Sequence, residues 1–161
     1  MNNTYSGRRA QLVGRIGEFI AYHFLKQKGR VTYDVVCDFR LDDKPVEVKS
    51  AFEHHAVNAV RPQHQAAGSF SSKQQFHTWL CNQDGLYCFV LLKDDGYASV
   101  KLVKAREVPK VWKGKERIWL SWTHFFQYEK VDNWYKRCTA PSYMEWKSLV
   151  YPETLQRMES E

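Results

Sequence analysis

The stretch Asp38-Phe39-Arg40-Leu41-Asp42-Asp43-Lys44-Pro45-Val46-Glu47-Val48-Lys49 decides how this chain is read. Side chains alternate faces along a strand with period two. In Val46-Glu47-Val48-Lys49 this sends both valines into a core and puts a carboxylate and an amine side by side on the other face. Val31 to Leu41 reads as one strand, and Pro45 to Ala51 as the strand returning alongside it. Asp42-Asp43 is suited to a two-residue hairpin loop, because aspartate tolerates the positive φ such loops demand. That loop length fixes the register. Phe39 faces Val46, Cys37 faces Val48, and Asp38 lies directly across from Glu47, with Val36 opposite Lys49.

Upstream, Leu12, Ile16, Phe19, Ile20 and Phe24 recur at helical spacing, so a helix is expected from about Ala10 to Lys28, ended by Gly29. Glu18 lies off that apolar stripe, on a face with Gly14, Tyr22 and Leu25. Residues 52–70 are rich in His, Gln and Ala and read as a long loop. Ser72 followed by Gln75 fits a capping box opening a helix through about Asn82. Leu86–Lys93 and Tyr97–Val103 read as a second hairpin about Asp94-Asp95-Gly96. A short helix is expected near Lys104–Val108, ahead of Pro109, and one more strand at Ile118–Trp122. The order helix, hairpin, helix, hairpin, then tail suggests an α/β fold with a mixed sheet flanked by helices. One domain is expected over 1–161, with its core at about 8–103 and an aromatic, basic extension at about 104–161.

The formal net charge is +6, from 24 basic and 18 acidic residues. Residues 8–30 hold six basic side chains and one acidic one, Glu18, and residues 104–147 hold ten basic and five acidic. Two basic segments around an acidic strand pair suit a polyanion. No apolar run reaches membrane-spanning length and the N-terminus lacks a signal-like segment, so an intracellular protein is expected. The four cysteines are expected as lone thiols rather than a disulfide or a zinc site, although His77, Cys81 and Cys88 offer a conceivable zinc set. His54, His55 and His64 read as loop residues facing solvent or phosphate. The six tryptophans either stack on bases or build a tail core or dimer face.

Asp38 and Glu47 supply oxygen ligands of the kind magnesium or manganese prefers, the Val48 carbonyl offers another, and Lys49 puts a fixed cation where phosphate charge develops. With Glu18 in Gly14-Arg15-Ile16-Gly17-Glu18, these residues resemble the PD-(D/E)XK nuclease superfamily, which includes restriction enzymes, archaeal Holliday-junction resolvases and some homing endonucleases. The resemblance covers roughly the first 103 residues. It implies a restriction-endonuclease-like αβββαβ core and a magnesium-dependent endonuclease acting on DNA, and a homodimer is expected. Glu18, Asp38, Glu47 and Lys49 would be catalytic, and Glu18, Asp38, Glu47 and Val48 would hold the metal. The motif's proline is absent: Cys37 precedes Asp38, and Tyr33 precedes Asp34. Asp34 therefore competes with Asp38 for the metal. Lys73 and Gln74, at the start of the second helix, are further candidates. Two other readings stand beside this one: a nuclease-like fold that binds nucleic acid without cutting it, and a structural or assembly protein using its aromatic tail.

Overall fold

The computed structural model describes residues 5–58, 61–93, 97–108, 116–121 and 135–138. Helix α1 spans Tyr5–Lys26, and three short antiparallel steps follow: β1 (Val31–Tyr33), β2 (Phe39–Leu41) and β3 (Lys44–Phe52). Next come β4 (His54–Asn58), β5 (Arg61–Ala67), β6 (Ser69–Lys73), α2 (Gln74–Asn82), β7 (Leu86–Leu92) and β8 (Ala98–Lys104). A 3-10 turn at Ala105–Glu107, β9 (Arg117–Ser121) and β10 (Tyr135–Cys138) complete the described elements.

The central sheet runs β1-β2-β3-β7-β8-β10. All its pairings are antiparallel except β3 with β7, where Glu47 sits beside Tyr87 and Lys49 beside Phe89. A parallel neighbour requires a crossover connection, and residues 53–85, including α2, supply it. This is the mixed sheet of an αβββαβ restriction-endonuclease-like fold.

Two apolar clusters lie on opposite faces of the sheet. On the α1 side, Ile16, Ile20, Phe24 and Leu25 pack against Phe39, Val46, Val48, Val90 and Val100. On the other side, Leu80 of α2 and Phe70 of β6 pack against Ala51, Tyr87, Phe89 and Leu91. Burying a side chain such as Val46, which is fully enclosed, contributes about 1.5–3 kcal/mol. The period-two pattern of β3 thus locks its register, because a one-residue slip would drive Glu47 and Lys49 into the α1 cluster.

The hairpin register is the one the sequence predicts: Phe39 pairs with Val46, Arg40 with Pro45 and Leu41 with Lys44. Asp42 and Asp43 carry φ of 48° and 69°, the pair of positive values that a two-residue turn matched to strand twist demands. The turn also docks on the end of α1. The Arg30 N–H donates to the Asp42 carboxylate at 2.9 Å, and the Asp42 N–H returns a bond to the Arg30 carbonyl.

Several expectations need correction. Val31–Leu41 is not one strand: it breaks at residues 34–38, because the Asp34 carboxylate offers the backbone better partners than a neighbouring strand would. Tyr33 and Val35, which alternation along a single strand would put on the face of Cys37 and Phe39, are exposed, and Val36 does not face Lys49. Residues 52–70 are not a loop. β4 and β5 form a separate two-stranded sheet, and β6 pairs with β9. Ser72 does not cap α2, which starts at Gln74 behind Lys73, with no side-chain cap. Ser72 is buried in β6 instead. α1 begins earlier than expected and ends two residues sooner. Trp112, Trp122, Trp134 and Trp146 lie outside the described residues, as does most of the C-terminal extension; Trp79 packs beside Phe76 at the α2 cluster.

Candidate active site

β2 begins only at Phe39, opposite Val46, so the next N–H of β3 on that side has no strand partner. Asp38 supplies it: the Val48 N–H donates to Asp38 Oδ2 at 2.7 Å. This bond fixes the aspartate beside Glu47, its predicted neighbour. Glu47 and Lys49 share the face of β3 turned away from α1, with Lys49 Nζ 3.8 Å from Glu47 Oε2 and both side chains largely shielded from water.

Glu18 arrives from α1. The helix can come this close because position 17 has no side chain. A Cβ on Gly17 would stand 1.5 Å from Ser50 Oγ and 2.6 Å from Ser50 Cβ. That contact seats α1 against β3, and Glu18 is the next residue along.

Asp38 makes hydrogen-bonding contact with both Glu18 and Glu47. Burial, then the Asp38 contact, push the Glu47 carboxyl up to about 9, with Lys49 opposing. Burial and Asp38 likewise raise Glu18, against the lowering effect of Arg15. Three carboxyl groups thus meet beside one ammonium, and without further positive charge Glu47 keeps its proton near neutral pH.

No group of three acidic, His or Cys side chains among the described residues has ligating geometry for a single ion. The donor chemistry nevertheless fits a hard divalent cation. It is all oxygen, with carboxyl groups from three segments close together, and Glu47 otherwise favours its proton there.

Asp34, the rival to Asp38, has different partners. Its Oδ1 accepts from the Val36 and Cys37 N–H groups at 2.8 and 3.3 Å, and its Oδ2 from Arg40 Nε. These hold its carboxyl down at about 2. Lys73 and Gln74 stand exposed at the start of α2, lining an open groove with Gln75, Thr78, Glu116 and Arg117. The conceivable zinc set is split by the sheet. His77 and Cys81 approach to 3.5 Å on the α2 side, whereas Cys88 belongs to the α1-side cluster. The side chains of His54, His55 and His64 lie outside what the structure describes. His23 is exposed beside Phe19 and Tyr22.

One neighbourhood was missed by sequence reasoning. Tyr87, the parallel partner of Glu47, is buried, with its hydroxyl 2.9 Å from His77 Nδ1 and 3.4 Å from Ser72 Oγ. These contacts tie β6, α2 and β7 together, and Ser72 and Tyr87 line a small cavity with Lys49. A phenol inside the apolar run Leu86–Leu92 was the available signal.

The profile of the PD-(D/E)XK nuclease superfamily domain matches residues 7–131. That span exceeds half of the chain and takes in every element of the αβββαβ core, so the protein belongs to the PD-(D/E)XK nuclease superfamily. No curated protein and no solved structure matches the chain. Among the described residues, no helix is long and apolar enough to cross a membrane.

Proposed function

We propose that this protein is a metal-dependent DNA endonuclease that hydrolyses phosphodiester bonds, with magnesium as its ion and manganese as a substitute. The observation that carries the reading is the meeting of Glu18, Asp38 and Glu47, brought together from three separate segments, with Lys49 beside Glu47. In this reading Asp38, Glu47 and the Val48 carbonyl hold the ion and Glu18 assists. When bound, the ion supplies positive charge to a phosphate oxygen and lowers the pKa of a water. Asp38 is held to its task by the Val48 N–H. Glu47 releases its proton as the cation takes that proton's place. Lys49, steadied by Glu47, presents an ammonium to the phosphate oxygens as their charge grows, which stabilises the transition state more than the ground state. Asp34 is left out of the metal role because Arg40 and two backbone N–H groups already occupy its oxygens. Gln74 contributes polar contact to the nucleic acid from the start of α2. Cutting both strands calls for two sites, which a homodimer provides.

The test is cleavage of labelled DNAs (supercoiled plasmid, linear duplex, four-way junction, flap and single strand) with magnesium, manganese or EDTA. Metal-dependent cutting is expected, and the preferred DNA separates restriction or homing from junction resolution. Salt-sensitive binding with no cutting under any metal would replace the catalytic reading with a binding module. Sedimentation of the protein alone and with DNA tests the dimer.

A further inference from the structure

The segment between β1 and β2 does more than deliver Asp38. Val35 is fully exposed, Tyr33 is 76% exposed and Val36 58%. Three large apolar side chains therefore stand in water within four residues of one another. Isolated exposed apolar residues are ordinary, but contiguous ones mark contact surfaces. This segment is also held in shape: Asp34 gathers the Val36 and Cys37 N–H groups and the Arg40 guanidinium. The apolar tip is thus presented on a preformed loop, which lowers the ordering cost of any contact it makes.

Its surroundings indicate the occupant. The loop runs directly into Asp38. The Tyr33 ring stacks on Tyr22, with centroids 5.7 Å apart and planes 11° from parallel. Tyr22 lies one helical turn beyond Glu18, and Lys26 one turn further, its Nζ 5.2 Å from the Tyr22 ring centre. Arg30 is exposed close by in sequence, before β1. The strip thus begins at the acidic cluster, passes over aromatic and apolar side chains, and ends among cations. Apolar and aromatic faces flanked by positive charge suit a base still attached to its phosphate backbone.

We propose that Tyr33, Val35 and Val36 form a wedge that receives an unstacked nucleobase beside the phosphate that the Asp38–Glu47–Lys49 site attacks, so that the protein acts where bases are unpaired or easily unstacked. The proposal rests on the nuclease reading of the same site. Apolar wedges of this kind intrude between base steps. The cost of freeing a base is least where it is mismatched or already single-stranded. The substrate class is therefore DNA with a bubble, fork or single-stranded stretch at the cut.

The experiment compares cleavage of a paired duplex with that of the same duplex carrying a short bubble, using wild type and the double variant Val35→Ser, Val36→Ser. Tyr33→Leu is run beside them, since it keeps an apolar side chain against Tyr22 and Phe39 while removing the ring. A 2-aminopurine next to the cut site reports base unstacking in a calcium-loaded complex. Wild type should prefer the bubble by about tenfold or more; Tyr33→Leu should lose about fivefold to tenfold on the bubble, matching the loss of one stacked base, and the double variant, which makes the wedge polar, should lose about as much. Its melting temperature should not fall, and its 2-aminopurine signal should drop. Wild type cutting both DNAs equally, or variants indistinguishable from wild type, would overturn the wedge while leaving the nuclease reading intact. Variants that lose only self-association, with cleavage unchanged, would assign the patch to a second copy of the chain instead. Wild type that cuts nothing with any metal would remove the nuclease reading, and the wedge with it.

Discussion

Asp34 and Asp38 are four residues apart on the same loop, yet their carboxylates live in opposite conditions. Asp34 is surrounded by donors: two backbone N–H groups and the Arg40 guanidinium. Asp38 has one N–H, from Val48, and otherwise faces the carboxyl groups of Glu18 and Glu47. The first aspartate is satisfied by its own chain and shapes the loop. The second belongs to a cluster in which three carboxyl groups meet beside a single close ammonium among the described residues, that of Lys49, which is the condition a further cation relieves. Residue type does not separate the two; the two-residue hairpin loop points to Asp38, and the partners of each carboxylate show why.

The comparison breaks most clearly on catalysis. Removing a cluster carboxylate by Glu47→Ala or Asp38→Ala should lower the single-turnover cleavage rate by about a thousandfold or more. Asp34→Asn should leave the rate per folded molecule nearly unchanged. Equal losses at both aspartates would erase the distinction. Lys49→Ala should cost about a hundredfold to a thousandfold in rate with little change in metal affinity, because its ammonium acts on developing charge.

Glu18 reaches the cluster only because α1 lies against Ser50. Gly17→Ala should therefore destabilise the protein by about 1–3 kcal/mol in denaturant melts, and Ser50→Gly should recover part of that loss. An unaffected Gly17→Ala protein would contradict the close helix–strand contact.

The smallest effects are on pH, and they run in opposite directions for the two groups. Glu47 is raised from 4.5 to about 9, so its contribution to metal-free stability is full below pH 4.5 and is lost as pH climbs toward 9. Metal-free melting temperatures should fall across that window, Glu47→Gln should flatten the fall, and added magnesium should stabilise more at pH 8 than at pH 5. Asp34 is lowered from 3.8 to about 2, so its contribution is present above pH 3.8 and is lost as pH falls through 2. The gap in melting temperature between wild type and Asp34→Asn should close in that acid range.

The hairpin was legible because two independent signals agree on it. The valines of β3 fix which face is buried, and Asp42-Asp43 fix the loop length, so Asp38 falls beside Glu47. The loop at 34–38 was not legible, since Tyr33, Val35 and Cys37 alternate as a buried strand would. A carboxylate bonding its own downstream backbone overrode that pattern. β4, β5 and β6 were missed because their composition is poor in β-branched residues, and β6 finds its partner, β9, more than forty residues away. The Tyr87–His77–Ser72 contacts depend on the parallel pairing of β3 with β7, whose register no local pattern specifies.

The most direct test of the acidic cluster as a cation site is calorimetric titration of manganese into wild type, Asp38→Asn, Glu47→Gln and Asp34→Asn proteins, each verified as folded. The account predicts one manganese-binding event in wild type, retained in Asp34→Asn and weakened at least about tenfold in Asp38→Asn and Glu47→Gln, with proton release on binding. Equal manganese affinity in all four proteins, or loss in Asp34→Asn alone, would contradict it.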